Sequence, residues 1–233
     1  MRVLAIQNFA DTPLGLVRPA LEAAGARIDL RRADLDEPLP VDHHGHDALV
    51  VLGGGQSAID DDDYPYLPHL SELTRRFGEA DKSVLGICLG SQIVARGHGA
   101  TNILGRPVEF GWHEVRPTDA GRADPVIASI GDAAPLFHWH LDTFTLPPGA
   151  VHLATSAMTP YQAFRIGRAV YGIQFHFEAD TTLVRDWNVA FAEEIEAIDT
   201  NWAARHRIEA IEKGVHADRV GQALAAAWVA TIR

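Results

Sequence analysis

The chain contains a single cysteine, Cys88, so no disulfide can form within it. That excludes the stapled frameworks of small secreted domains and makes a reducing, cytoplasmic setting the expectation. The sequence also lacks any run of about 18 apolar residues, the length a bilayer-spanning helix needs, so no membrane segment is expected. Its opening, Met1-Arg2-Val3-Leu4-Ala5-Ile6-Gln7, has neither the apolar stretch nor the cleavage site of a secretion signal. Positive charge is scarce: 20 Lys and Arg stand against 31 Asp and Glu, a formal net charge of -11. Such a surface repels phosphate backbones and anionic headgroups, which argues against nucleic acid or membrane as a partner. Nothing in the composition fixes an oligomeric state.

What is present is an ordinary globular composition, 47% hydrophobic and 22% charged over 233 residues, enough for one substantial core. Short apolar runs bounded by turn residues alternate with helical spacing, the pattern of a mostly parallel sheet covered by helices. Strands are predicted at Val3 to Ile6, Ile28 to Leu30, Ala48 to Leu52, Ser83 to Ile87 and Ala169 to Phe175. Those at 48–52 and 83–87 are apolar on both faces and therefore central. Asp11-Thr12-Pro13 offers a capping side chain followed by proline, predicting a helix from there to about Ala24. Leu67 to Ala80 has helical spacing. The middle, about Thr101 to Pro148, is rich in Gly, Pro and His and reads as shorter strand pieces. Beyond Thr181, Leu183, Val184, Trp187, Phe191 and Ile195 fall near a 3.6-residue period, which makes them one packing stripe. The expectation is one α/β domain over residues 1–233 with a helical end from about 181 to 233.

Three segments carry chemistry. Gly86-Ile87-Cys88-Leu89-Gly90-Ser91-Gln92 follows a buried strand and opens a helix, Gln92 to Arg96. A cysteine is more often a small buried hydrophobe than a nucleophile. Here flanking glycines remove the Cβ atoms that would crowd a tight turn, and a helix N-terminus favours a thiolate. The Leu89 amide is then placed to donate to an oxyanion. Leu52-Gly53-Gly54-Gly55-Gln56-Ser57 follows another central strand, where glycines let backbone amides approach a ligand. In Tyr171-Gly172-Ile173-Gln174-Phe175-His176-Phe177-Glu178, a histidine stands at a strand's carboxyl end with a carboxylate two residues on. A thiol nucleophile needs such a base, and the base needs an orienting carboxylate.

Together these segments resemble the class I glutamine amidotransferases, whose nucleophile sits in G-x-C-x-G-x-Q and whose base and acid sit in H-x-E. The resemblance implies a three-layer, flavodoxin-like α/β fold and a triad of Cys88, His176 and Glu178. It places Gly54, Gly55 and Leu89 at the oxyanion hole. Phe110-Gly111-Trp112-His113-Glu114-Val115 and His138-Trp139-His140-Leu141-Asp142 are similar to the family's substrate-side stretches. On that basis Gln92, Gly111, Trp112, His140 and Asp142 are expected around the substrate. One departure is plain: the family usually has proline between His and Glu, where this chain has Phe177.

The implied reaction is hydrolysis of glutamine or another γ-glutamyl amide through a thioester, with no cofactor or metal. Within that family the chain resembles standalone proteins similar to the amidotransferase domain of GMP synthase. Sequence after Glu178 shows no synthetase domain, so ammonia would go to a separate ammonia-accepting synthetase, or the protein hydrolyses γ-glutamyl conjugates alone. Rival readings exist. A cysteine α/β-hydrolase acting on an ester would use Asp142 ahead of His176, and a catalytically inactive binding module would need none of the triad. A metal enzyme would use Asp42-His43-His44-Gly45-His46-Asp47 or Asp60-Asp61-Asp62-Asp63, though both read better as solvated loops.

Overall fold

The computed structural model describes residues 1–233. Its first half contains β1 (Arg2–Gln7), α1 (Val17–Ala23), β2 (Arg27–Arg32), β3 (Ala48–Val51), α2 (Leu67–Glu79), β4 (Ser83–Ile87) and α3 (Leu89–Gly97). Then come β5 (Asn102–Ile103), β6 (Glu109–Pro117), α4 (Asp119–Arg122), β7 (Ala134–His140), β8 (Thr143–Phe144), β9 (Val151–Ser156), β10 (Ala163–Ile166) and β11 (Val170–Ile173). The chain ends in α5 (Thr181–Ala190), α6 (Ala192–Ile198), α7 (Trp202–Glu209) and α8 (Val215–Val229), with a π turn at Ala210–Gly214.

Nine strands form one sheet in the order β2-β1-β3-β4-β11-β10-β9-β6-β7, in which only β10 and β6 run against the rest. The side-chain alternation of its central strands builds two cores. Val3, Ala5, Val50 and Leu85 face one way, into a core shared with α1 and α8. Leu4, Ile6, Leu49, Val51 and Val84 face the other, against α2 and α3. Three layers result, because strands apolar on both faces need helices on both faces.

The parallel half sets up the chemistry. Val84 to Ile87 pairs in register with Val170 to Ile173, so β4 and β11 finish at the same level. Cys88 follows the first and donates its amide to the Ile173 carbonyl (2.9 Å). Loops past the carboxyl ends of β3, β4 and β11 therefore meet at one point, where α/β sheets hold their ligands.

Three local expectations change. α1 begins at Val17, not near Pro13, because residues 9–16 are held as a loop by distant partners. The Thr12 hydroxyl donates to the Gly53 carbonyl, Trp187 Nε1 donates to the Asp11 carbonyl, and Leu16 N donates to the Glu178 carbonyl. The stripe from Leu183 to Ile195 breaks at Phe191, whose backbone (φ -124°, ψ 35°) separates α5 from α6. The middle region holds a long hairpin: β6 runs nine residues and pairs with β7 from Glu109↔His140 to Val115↔Ala134.

That hairpin buries a polar cluster. Glu109 Oε2 accepts from His140 Nε2 (3.2 Å), the Thr159 hydroxyl (2.7 Å) and Gln162 Nε2 (2.8 Å). Burial works to raise its pKa, but His140, the neighbouring His138 ring and the Ser156 and Thr159 hydroxyls outweigh burial and hold it near 2. His138 is fully buried and neither ring nitrogen has a hydrogen-bond partner, with Nδ1 3.7 Å from Glu109 Oε2. Burial pushes its pKa down to about 3, so the ring is neutral. The unfolded chain therefore takes up a proton between about pH 6.5 and 3 that the folded chain refuses, and stability falls on acidification through that window. Replacing the ring with an apolar one removes that dependence. His138→Phe should resist acid better than the parent, with the gap in urea-unfolding free energy growing by about 1.4 kcal/mol per pH unit below 6.5. Parallel stability curves for the two proteins would contradict the burial argument.

Candidate active site

Cys88 caps the N-terminus of α3 with φ 52° and ψ -112°, a conformation that costs a non-glycine residue about 1–3 kcal/mol. Its neighbours make the turn feasible. A Cβ on Gly86 would lie 2.3 Å from the Gly90 carbonyl oxygen, and one on Gly90 would lie 2.0 Å from that of Val51. Only glycine fits at either position, as the sequence spacing implies. The nearly buried Cys88 thiol reaches the Trp139 carbonyl at 3.6 Å. As the first residue of α3, Leu89 carries an amide with no partner inside the helix, and its side chain lines the cavity.

His176 leaves the sheet just beyond β11, fixed by a 2.7 Å bond from its amide to the Phe137 carbonyl on β7. Its Nδ1 hydrogen-bonds Glu178 Oε1 at 2.7 Å, and both residues are buried. Burial disfavours the imidazolium, but the Glu178 carboxylate and the Cys88 side chain together raise the ring's pKa well above the usual histidine value. This group's stabilisation is present in full below about pH 6.5 and is lost as pH rises through the elevated folded value. Phe177, in the place where the family usually has proline, is fully buried beside Phe175. Its carbonyl abuts Gly221 of α8, where a Cβ would come within 2.2 Å. Packing thus holds a turn that proline would otherwise stiffen.

One cavity of about 490 Å³ opens over this cluster. Gly54, Gly55, Leu89, Gln92, His140 and Asp142 all line it. Gln92 Nε2 donates to the Asp142 carbonyl (3.1 Å), which His140 Nδ1 also contacts (3.0 Å). The Asp142 carboxylate accepts from the Gly105 amide (2.7 Å), so Glu178, not Asp142, orients His176. That geometry removes the carboxylate on which the α/β-hydrolase alternative depended.

Gly111 and Trp112 are not at the cavity. Gly111 adopts φ 100° on β6 against the Trp202 ring, and buried Trp112 stacks on Trp202 at 5.6 Å with Phe137 at 5.1 Å. Their resemblance-based assignment yields to a packing role. Conversely, Trp187 packs edge-on to the His176 ring with centroids 5.1 Å apart, and Phe9, Phe191, Glu194 and Ile198 also line the cavity. Sequence reasoning placed Trp187 and Phe191 in a packing stripe. Their one local signal was that stripe, which does not say what it packs against.

The histidine and aspartate loops do not gather ligands. The Asp42 carboxylate accepts from His44 N (2.8 Å), His46 Nε2 meets Asp29 (2.9 Å), and Asp61 pairs with Arg96 (2.6 Å). Three ligand atoms do come within 4.8 Å of one another at Glu109, His138 and His140, beneath the cavity.

Known proteins resemble this chain over most of its length. A family model described as glutamine amidotransferase class-I matches residues 6–190. The glutamine amidotransferase-like protein YfeJ of Salmonella typhimurium is 36% identical over 181 residues, 76% of this chain and 76% of its own. A glutamine-hydrolyzing GMP synthase of Rhodopseudomonas palustris is 33% identical over 172 residues, which is 70% of this chain and 30% of that enzyme. The crystal structure of a glutamine amidotransferase from Thermotoga maritima superposes with a TM-score of 0.83 at 27% identity, covering 98% of this chain and 96% of that one. The family match runs from the first strand through the loops bearing both Cys88 and His176, and the chain belongs to the class I glutamine amidotransferase family, whose general activity is glutamine hydrolysis.

Proposed function

We propose that this chain hydrolyses γ-glutamyl amides with Cys88 as nucleophile, His176 as general acid and base, and Glu178 as the group that orients and charges the imidazole. The observation that carries the proposal is the 2.7 Å bond between His176 Nδ1 and Glu178 Oε1, with His176 and Cys88 lining one cavity. Sγ attacks the γ-carbonyl carbon, and the amides of Leu89 and the Gly54-Gly55 turn receive the oxyanion. One such donor is worth about 2.7–4 kcal/mol in related acyl-transfer sites. His176 gives its proton to the departing nitrogen and then takes one from the water that cleaves the thioester. Gln92, His140 and Asp142 line the side of the cavity assigned to the glutamyl group. None of these steps draws on a cofactor.

Delivery of ammonia to a separate synthetase is the second reading. It rests on the GMP synthase relative, most of whose length lies outside the shared region.

Cys88→Ala should abolish glutamate release while leaving the unfolding midpoint close to the parent's, since the change removes one sulfur. Retained turnover in that variant would end the proposal. Within the triad the substitutions should differ in severity. His176→Ala should lose on the order of 10⁴–10⁶-fold in kcat and Glu178→Gln about 10²–10⁴-fold. Because the two act as a unit, the double variant should be barely slower than His176→Ala alone; losses that simply multiply would show that Glu178 acts independently of the ring.

A further inference from the structure

The cavity holds more than a glutamine requires. At about 490 Å³ it falls in the range of sites that enclose drug-sized ligands. Its two sides differ in chemistry. Gln92, His140 and Asp142 make one side polar. Along the other, aromatic rings run outward from the proton donor. Trp187 lies 5.1 Å from His176, Trp139 lies 5.8 Å from Trp187, Phe191 lies 5.3 Å from Trp139, and Phe9 lies 5.9 Å from Phe191. No lysine or arginine lines the cavity, and Glu194 stands exposed at this apolar end.

Direction follows from mechanism. The leaving nitrogen must face His176 to collect its proton, so any substituent on that nitrogen extends along the rings beside His176. Ammonia would leave this wall without a ligand. A leaving group that carried a carboxylate out to this end would meet Glu194, with no lysine or arginine in the lining to offset the repulsion.

We infer that the substrate is a γ-glutamyl amide of an apolar, aromatic-bearing amine that carries no carboxylate. The inference rests on the amidase reading above. The Sγ–carbon bond forms as the carbon–nitrogen bond breaks, and the amine leaves with the His176 proton. Water then adds to the thioester, His176 regains a proton, and glutamate departs as Sγ returns to thiolate. Nothing is oxidised or reduced.

Three substrates separate the possibilities with the full chain: glutamine, γ-glutamyl-2-phenylethylamide, and γ-glutamylphenylalanine, which differs from the second only by a carboxylate. The phenylethylamide should exceed both others in kcat/KM by about tenfold or more. Phe191→Ala should lower its ratio to glutamine. Glu194→Lys, at an exposed position where folding is not at risk, should narrow its ratio to γ-glutamylphenylalanine by about two- to fivefold, the modest size a solvent-screened charge allows. Glutamine cleaved as fast as the phenylethylamide would overturn the inference and leave the amidase reading standing. Ratios unmoved by both substitutions would remove the aromatic wall from substrate selection. Glutamate released from none of the three would overturn the amidase reading and this inference with it.

Discussion

Three parallel strands, β3, β4 and β11, end at one level, and the candidate site depends on that register. A one-residue slip between β4 and β11 would turn every side chain of one strand to the opposite core and carry His176 away from Cys88. The register is secured from both faces by side chains buried to completion, Leu85, Ile87, Tyr171 and Ile173 into one core and Val84 into the other. The bond from Cys88 N to the Ile173 carbonyl then extends the ladder one residue past the end of β4. This last rung holds Cys88 in a backbone conformation it would not adopt alone. The strain at Cys88 is thus sustained by the sheet, and the two glycines beside it only make room.

The antiparallel half works differently. β7 reaches the site through two backbone carbonyls, Phe137 to the His176 amide and Trp139 to the Cys88 thiol. Beneath them lies the cluster around Glu109, in which one carboxylate oxygen, Oε2, takes three donors while Oε1 and both ring nitrogens of the neighbouring His138 have no hydrogen-bond partner. A carboxylate kept charged beside an imidazole kept neutral gives the floor of the cavity a fixed polarity at neutral pH. That polarity sits directly under His140 and the Asp142 carbonyl.

How much of this the sequence discloses depends on whether the signal is local. The central strands, α2 and the turn at Cys88 were legible because each rests on its own residues: apolar runs for the strands, helical spacing for α2, paired glycines for the elbow. The His-x-Glu pair is likewise contained in three positions. Gly111 and Trp112 failed because their partner, Trp202, is some ninety positions away and nothing in β6 announces it. The late start of α1 has the same origin. Thr12 and Asp11 have good local credentials for a helix cap, but the Thr12 hydroxyl donates to the Gly53 carbonyl and the Asp11 backbone carbonyl accepts from Trp187. The break at Phe191 is subtler, since a 3.6-residue period persists across it while the backbone turns the ring toward Trp139 and Phe9.

The contact between α8 and the turn at Phe177 reaches beyond local packing. Gly221 leaves room for the Phe177 carbonyl, Trp228 Nε1 donates to the Val84 carbonyl (3.3 Å), and the Asp218 carboxylate accepts from Thr181 at the start of α5. All three α8 residues lie after position 190, outside the span that matches the family model. The histidine–glutamate turn therefore leans on a buttress that lies beyond residues 6–190. Substitutions in this tail can reach the reacting atoms through the backbone without touching the cavity, so divergence there has a direct mechanical route to the rate.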